Sequence, residues 1–326
     1  MDYGHFSGDE RRMVYQWRGE GCTLAEIGKR LNRDPGTISR EISRNTGQCG
    51  YRPKQAHAFA QARAKRPGAR TFTAEMHAEV ERKIRKGHTP AIIKGRAALE
   101  GRAMVCKETI YKSIYVDAKE GGDLWKYLPR SKRKRHRRCP RQDGRGRGRI
   151  PGQRRIDTRP KVVDKRERIG DWEGDLMSGA SGTGHLATMV DRASRFTLLG
   201  HVWSKEAVEV NDCLVAMFGD KAIPLLARLT GTFDNGKEFA LHQELARRIG
   251  MEIYFAFPYH SWERGTNENT NGLIRRLLPK GSSFAHLDKA ALARIESYVN
   301  DRPRKCLGWR TPREVFYDRI ATARSG

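Results

Sequence analysis

Between residues 130 and 155 the chain carries thirteen lysines and arginines against one acid, Asp143, among glycines and prolines with almost nothing to bury. Such a stretch cannot remove enough apolar surface from water to offset the entropy of ordering it, so it belongs to no core. The 326-residue chain must therefore fold on either side of it, and it is long enough for two or three domains. A basic run set between two foldable segments reads as a flexible linker that tracks a nucleic-acid backbone; a solvated tail would not sit there.

The formal charge of +26 is unevenly placed: residues 1 to 160 hold 39 of the 64 Lys and Arg with 17 acids, a balance of +22, which leaves +4 for the rest. Each phosphate neutralised by Lys or Arg releases counterions, so the first part points to nucleic acid. Charge alone does not separate DNA from RNA. The asymmetry does exclude a uniformly basic protein of ribosomal type, and it assigns a different task to the C-terminal part. Six cysteines (Cys22, Cys49, Cys106, Cys139, Cys213 and Cys306) are scattered with no CxxC pair and no Cys/His cluster at zinc spacing, and are read as reduced and structural. No apolar run approaches the roughly 20 residues that cross a membrane, and the first residues lack the charge and apolar stretch of a signal peptide, so a cytoplasmic protein without a membrane partner is expected.

Residues 1 to 50 read as a helix-turn-helix domain. Ser7, Asp9 and Glu10 suit a helix start, Met13, Val14 and Trp17 follow at helical spacing, and Gly19 and Gly21 stop the helix. Thr23 to Leu31 forms a short amphipathic helix, Asn32 to Pro35 a tight turn, and Gly36 to Arg44 a second helix. In the major groove that helix would present Thr37, Ser39, Arg40 and Arg44 to bases or phosphates while Ile38 and Ile42 pack inward. A basic connector is expected over 51–70. Residues 71–129 repeat the theme, with helices over Ala78 to Lys86, Thr89 to Leu99 and Lys107 to Tyr115, and read as a second helix-turn-helix domain; a helical spacer or dimerisation unit fits nearly as well. The basic flexible linker spans 130–160.

From Lys161 to the end, residues 161–326, the texture changes. Strands are expected at Asp171 to Ser178, His185 to Val190, Arg195 to Val202, Ala227 to Phe233 and Glu252 to Ala256, with helices at Lys205 to Phe218 and Lys237 to Ile249 and another after the last strand. Three consecutive strands followed by alternating helices and strands give an α/β domain with a mixed sheet flanked by helices. Asp175 lies in the first strand, Asp234 follows directly on a later one, and Glu268 lies on the helix after the last. Carboxylates from separate elements are what two hard cations require to clamp the attacking and leaving oxygens of a phosphoryl transfer. Alternation puts Asp171, Glu173 and Asp175 on one side, so periodicity does not choose among them; Asp175, deepest in the run, is preferred. Glu268 is preferred to Glu263 because Arg275, seven residues on, shares its face, with Asn267 and Asn271 on the same surface. Asp191 reads as a strand-end turn residue.

These residues resemble the insertion-sequence transposases of the IS-thirty family, within the DDE transposases and retroviral-type integrases. The carriers are the helix-turn-helix ending Thr37-Ile-Ser-Arg-Glu-Ile42, the block Gly170-Asp-Trp-Glu-Gly-Asp-Leu176, Phe233-Asp-Asn-Gly-Lys-Glu-Phe239, the run Pro258 to Arg275 with Leu278-Pro-Lys-Gly281, and the closing segments Asn300 to Arg304 and Leu307 to Phe316. The resemblance spans nearly the whole chain. It places the catalytic and metal-holding triad on Asp175, Asp234 and Glu268, with 33 residues between the last two, and its trailing DNA-binding cation on Arg275.

It further implies an RNase H-like catalytic domain and cleavage and strand transfer dependent on two Mg²⁺ ions, with Mn²⁺ as a substitute. No small-molecule cofactor and no covalent protein intermediate are implied. The N-terminal domains would recognise terminal inverted repeats, double-stranded DNA would be both transposon end and target, and the protein would act as a homo-oligomer. A repressor with a sensing domain would explain the charge but not an acid on each of three elements.

Overall fold

Side chains start the first helices in turn. The structure, a computed structural model, describes residues 5–64, 72–129, 150–257 and 265–325, which fall into two units, Met1–Thr73 and Ala74–Gly326. In the first unit, Ser7 and Glu10 each accept the other's amide, a capping box that opens α1 (Gly8–Gly19). Thr23 and Glu26 do the same for α2 (Leu24–Leu31). Asn32, in the left-handed region at φ 51°, ends that helix. Asp34 then accepts from the Thr37 amide to begin α3 (Pro35–Asn45), where Pro35 sits in the first turn and its missing N–H is not needed. Fully buried Val14, Ile27 and Ile38 close the expected helix-turn-helix.

A hairpin, β1 (Thr46–Gly47) and β2 (Gly50–Tyr51), leads into α4 (Pro53–Ala64). The connector expected over 51–70 is therefore helical through Ala64; residues 65–70 lie outside the described ones. Alanine, glutamine and arginine favour helix, but α4 has no apolar stripe and buries only Ala56, so periodicity gave no signal.

The second unit opens with α5 (Ala74–Arg85), α6 (Pro90–Leu99, capped by Thr89) and α7 (Lys107–Lys119), which bury Val80, Ile84, Ile93, Ile110 and Ile114. After α8 (Val162–Lys165) come β3 (Asp171–Ser178), β4 (His185–Asp191), β5 (Thr197–Val202), α9 (Ala207–Asp220), β6 (Thr230–Phe233), α10 (His242–Ile249), β7 (Glu252–Phe255), α11 (Gly265–Leu277), α12 (Lys289–Asn300) and α13 (Pro312–Ser325). The five strands run in the order β5-β4-β3-β6-β7, antiparallel from β5 to β3 and parallel from β3 to β7. This is the expected mixed sheet. Trp172, Met189, Leu198 and Phe233 face a core with α9, α10 and α13; Met177, Leu186 and Leu199 face a second core with α11 and α12. Among the described residues no helix is long and apolar enough to cross a membrane.

Residues 130–149 of the expected linker lie outside the described ones. From Ile150 the chain is docked rather than loose: Ile150 enters the core at 5% exposure, the Phe255 amide donates to the Arg154 carbonyl at 2.9 Å, and buried Arg159 donates to Thr232 Oγ1 at 2.8 Å. The arginines that made this stretch look solvated find fixed acceptors on β6 and β7.

α6 is latched to the C-terminal segment. The Trp309 ring lies flat against Gly95, where a β-carbon would stand 2.2 Å from Trp309 Cδ2. Arg96 forks onto Glu314 at 2.7 and 2.6 Å, and Arg302 donates to the Gly87 carbonyl at 2.6 Å. Burial beside Arg302 pushes the neighbouring His88 down to about 4.

Gly95→Val has no space at this latch and is expected to destabilise the second unit by about 1–3 kcal/mol, read from the shift in its urea midpoint. His88 is held neutral in the folded chain, so its contribution is intact above its ordinary pKa of 6.5 and is lost as pH falls toward about 4. The melting temperature of the wild type should accordingly drop more than that of His88→Gln between pH 7 and pH 5.

Candidate active site

Side chains alternate along β3, so Asp171, Glu173 and Asp175 share the face covered by α11. The parallel pairing of β3 with β6 sets Asp171 against Thr230 and Glu173 against Thr232. Carried two residues beyond its last pair, the same register would place Asp175 opposite Asp234, one position past the end of β6. Gly174 makes the pairing of β3 with β6 possible: a β-carbon there would stand 2.1 Å from Phe233 Cε1 on the other face.

The three acids of β3 have different surroundings. Asp171, 1% exposed, accepts from Arg168 at 2.8 and 3.0 Å and from Thr230 Oγ1 at 2.8 Å. Glu173, fully buried, accepts from Arg192 Nη1 at 2.8 Å and from the Asn267 amide at 2.9 Å. Asp175 is half-buried and accepts from Asn271 Nδ2 at 2.6 Å. Asp191 is a buried turn residue as expected, accepting from the Gly170 amide and from both the amide and hydroxyl of Ser194 at 2.6 to 2.8 Å. Burial nonetheless pushes its carboxyl up to about 6.

On α11, Glu268 is exposed and lines an open cavity of about 660 Å³ with Asn269, Gly272, Arg275 and Arg276. Arg275 donates to the Ser178 carbonyl at 2.9 Å and lies over the Phe284 ring, and desolvation lowers its pKa. Several buried polar atoms beside this face have no partner: both ends of the Asn267 amide, Asn271 Oδ1 and Arg275 Nη1. Asp234 Oδ1 accepts from the Gly236 amide at 3.1 Å, the local turn that places its side chain. Among the described residues no group of three or more His, Cys, Asp or Glu side chains lies close enough to hold an ion. Asp175 lies on β3, Asp234 one position past the end of β6 and Glu268 on α11, and these three acids form no such group with one another. Glu263 and the rest of 258–264 lie outside the described residues.

In the first unit, Ser39, Arg40 and Arg44 are exposed on α3, and half-buried Thr37 accepts from Arg40 at 3.2 Å. Thr37, Arg40 and Arg44 line a basic hollow with His57, Gln61 and Arg63 of α4, and Ser39 lies outside it. Sequence reasoning missed these α4 residues because it read their segment as a connector. It also missed the reach of Glu173 to α11, a contact that spans 94 residues and leaves no local pattern.

The Helix-turn-helix domain family matches residues 2–45 and the Integrase core domain family residues 166–261. The transposase for insertion sequence element IS4351 of Bacteroides fragilis is 40% identical over 315 residues, covering 96% of this chain and 95% of that protein. Transposase InsI for insertion sequence element IS30A of Escherichia coli is 35% identical over 326 residues, covering 97% and 84%. The transposase for IS1086 of Cupriavidus metallidurans is 35% identical over 331 residues, covering 98% and 96%.

The hydrogen-bond partners separate acids that support the fold from acids that face the cavity. Asp191→Ala leaves the Gly170 and Ser194 donors buried without an acceptor and is expected to lower stability by about 1–3 kcal/mol. Asp175→Asn keeps the shape and one acceptor and should change stability by less than about 0.5 kcal/mol; equal losses in denaturant titrations of the two variants would contradict this division.

Proposed function

We infer the reaction from one premise: the chain belongs to the IS-thirty family of insertion-sequence transposases. It is a DNA-binding transposase with an integrase core, a DDE-type polynucleotidyl transferase, and its family is dependent on divalent metal. On this basis Asp175, Asp234 and Glu268 are the catalytic carboxylates. The observation that supports the assignment is the β3–β6 register, which, carried two residues past its last pair Glu173–Thr232, would set Asp175 against Asp234. Asp171 and Glu173 have both oxygens committed to the fold, which favours Asp175 among the acids of β3.

The donor set fits a hard divalent cation. Half-buried Asp175 lies beside Asn271, whose amide oxygen Oδ1 is buried without a partner, and Asp234 directly follows β6, the parallel neighbour of β3. Asp175, Asp234 and Glu268 would hold two Mg²⁺ ions, with Mn²⁺ as a substitute. When bound, such ions make an attacking oxygen more nucleophilic and stabilise the charge that develops on phosphate.

The chain's own residues hold and orient the DNA. Asn271 fixes the rotation of the Asp175 carboxylate, and Arg275 directs an unpartnered Nη1 toward a phosphate of the transposon end. Thr37, Ser39, Arg40 and Arg44 read the terminal inverted repeat in the major groove. Water attacks the phosphorus at the end of the element, breaking its P–O3′ bond and freeing a 3′-OH; that oxygen then attacks a phosphorus of target DNA in line, and the target strand's 3′-oxygen leaves as a new 3′-OH. Neither step passes through a covalent bond to the protein, no small-molecule cofactor is needed, and the protein works as a homo-oligomer on nucleoid DNA in the cytoplasm.

The test is an assay on a labelled transposon end with a supercoiled target, in Mg²⁺ or EDTA. The wild type should cut and join only with metal. Asp234→Asn should bind the end as tightly while cutting and joining at least about 100-fold more slowly; unimpaired joining would remove Asp234 from the site, and cutting without joining would make the protein a nuclease. Arg275→Ala should reduce the slope of log affinity against log salt by about 1.

A further inference from the structure

Glu173 is the one fully buried carboxylate of β3, and the chemistry above gives it no part. Its Oε1 accepts from Arg192 Nη1 at 2.8 Å and its Oε2 from the Asn267 amide at 2.9 Å. Asn267 is the third residue of α11, whose first-turn amides have no partner within the helix. A carboxylate at that end also complements the helix dipole. The acceptor of the Asn267 amide is thus a strand carboxylate distant in sequence.

The next residue along α11 is Glu268, and one turn beyond Asn267 lies Asn271, which donates to Asp175 at 2.6 Å. Two acids of β3, two residues apart, thus hold α11 at two points four residues apart. Four helical residues rise about 6 Å and two strand residues advance about 6.6 Å, so the two attachments match in spacing. Together they fix the rotation and axial position of the segment that carries Glu268. Arg195 adds a third tie from the β4–β5 turn, donating to Thr266 Oγ1 at 2.7 Å. A buried ion pair such as Glu173–Arg192 is a weak source of net stability, since well-packed apolar residues often do as well. Its orientation of α11 is the part that apolar residues could not supply.

We propose that Glu173 is a positioning residue that sets the place of Glu268 through the first turn of α11. The proposal rests on the reading of Glu268 as a metal-holding carboxylate, and the experiment separates the two.

Binding of Mn²⁺ to the full chain, without DNA, is measured from the electron paramagnetic resonance signal of the free ion in four proteins: wild type, Glu173→Ala, Glu268→Ala and the double variant. Glu173→Ala is expected to weaken binding about tenfold, but less than about twofold when Glu268 is already alanine, because no carboxylate is left to misplace. Glu173→Gln keeps an acceptor for the Asn267 amide and should bind within about threefold of wild type. Equal weakening in both backgrounds, or none in either, overturns the proposal. Full binding by Glu268→Ala overturns instead the reading of Glu268, and the proposal falls with it on that separate ground. If Glu173→Ala leaves Arg192 too costly to bury, Glu173→Ala with Arg192→Met removes both charges together, and the same comparison decides, with the metal-free melting transition as the measure of folding.

Discussion

The parallel pairing of β3 with β6 is the constraint from which the site follows. β3 is the middle strand of five, antiparallel to β4 on one edge and parallel to β6 on the other. A slip of one residue would send every alternate side chain to the opposite face, burying acids in the core of Trp172 and Phe233 and exposing those aromatics under α11. The register is thus held by hydrophobic burial on one face, and the other face inherits the pairing of Asp171 with Thr230 and of Glu173 with Thr232. Gly174 shows the cost of that arrangement, since the ring of Phe233 fills the space its side chain would take.

The acids of β3 and Asp191 at the end of β4 do two kinds of work, and their partners divide them. Asp171 and Asp191 hold backbone and side-chain donors around Gly170 and Ser194 and keep the ends of β3 and β4 in place. Asp175 faces α11 through one amide and keeps contact with solvent. A carboxylate already satisfied on both oxygens would have to lose hydrogen bonds before it met a ligand. Along β3 the acids pass from buried at Asp171 and Glu173 to half-buried at Asp175, just past the stretch that pairs with β6.

Much of this was legible in the sequence because it is written in local chemistry. Ser7 with Glu10, Thr23 with Glu26, and Asp34 with Pro35 are capping signals that need no tertiary information, and the three helices they start lie where expected. Asp171 to Ser178 was readable as a strand to its ends. Two features were not readable. α4 is helical by propensity and buries a single alanine, so no periodic stripe marked it. Residues 150–160 carry the composition of a linker, yet Arg155 and Arg159 meet acceptors on the sheet that are distant in sequence. The choice among Asp171, Glu173 and Asp175 was out of reach for the same reason, because alternation treats them alike and only their partners differ.

The separation of charge along the chain has a physical consequence for how affinity and chemistry are divided. A face that gathers carboxylates repels a polyanion, and the C-terminal part carries a balance of only +4 to offset it, against +22 in the first 160 residues. The basic part is the one whose charge suits a polyanion, an attraction that salt weakens. Arg275 adds a cation to α11 itself. Desolvation lowers its pKa, yet arginine starts so high that the guanidinium stays charged. It is held by Ser178 and Phe284 with one nitrogen still without a partner. Partial burial has already removed some of its hydration, and in the cavity that it lines with Glu268 its charge offsets that of the carboxylate.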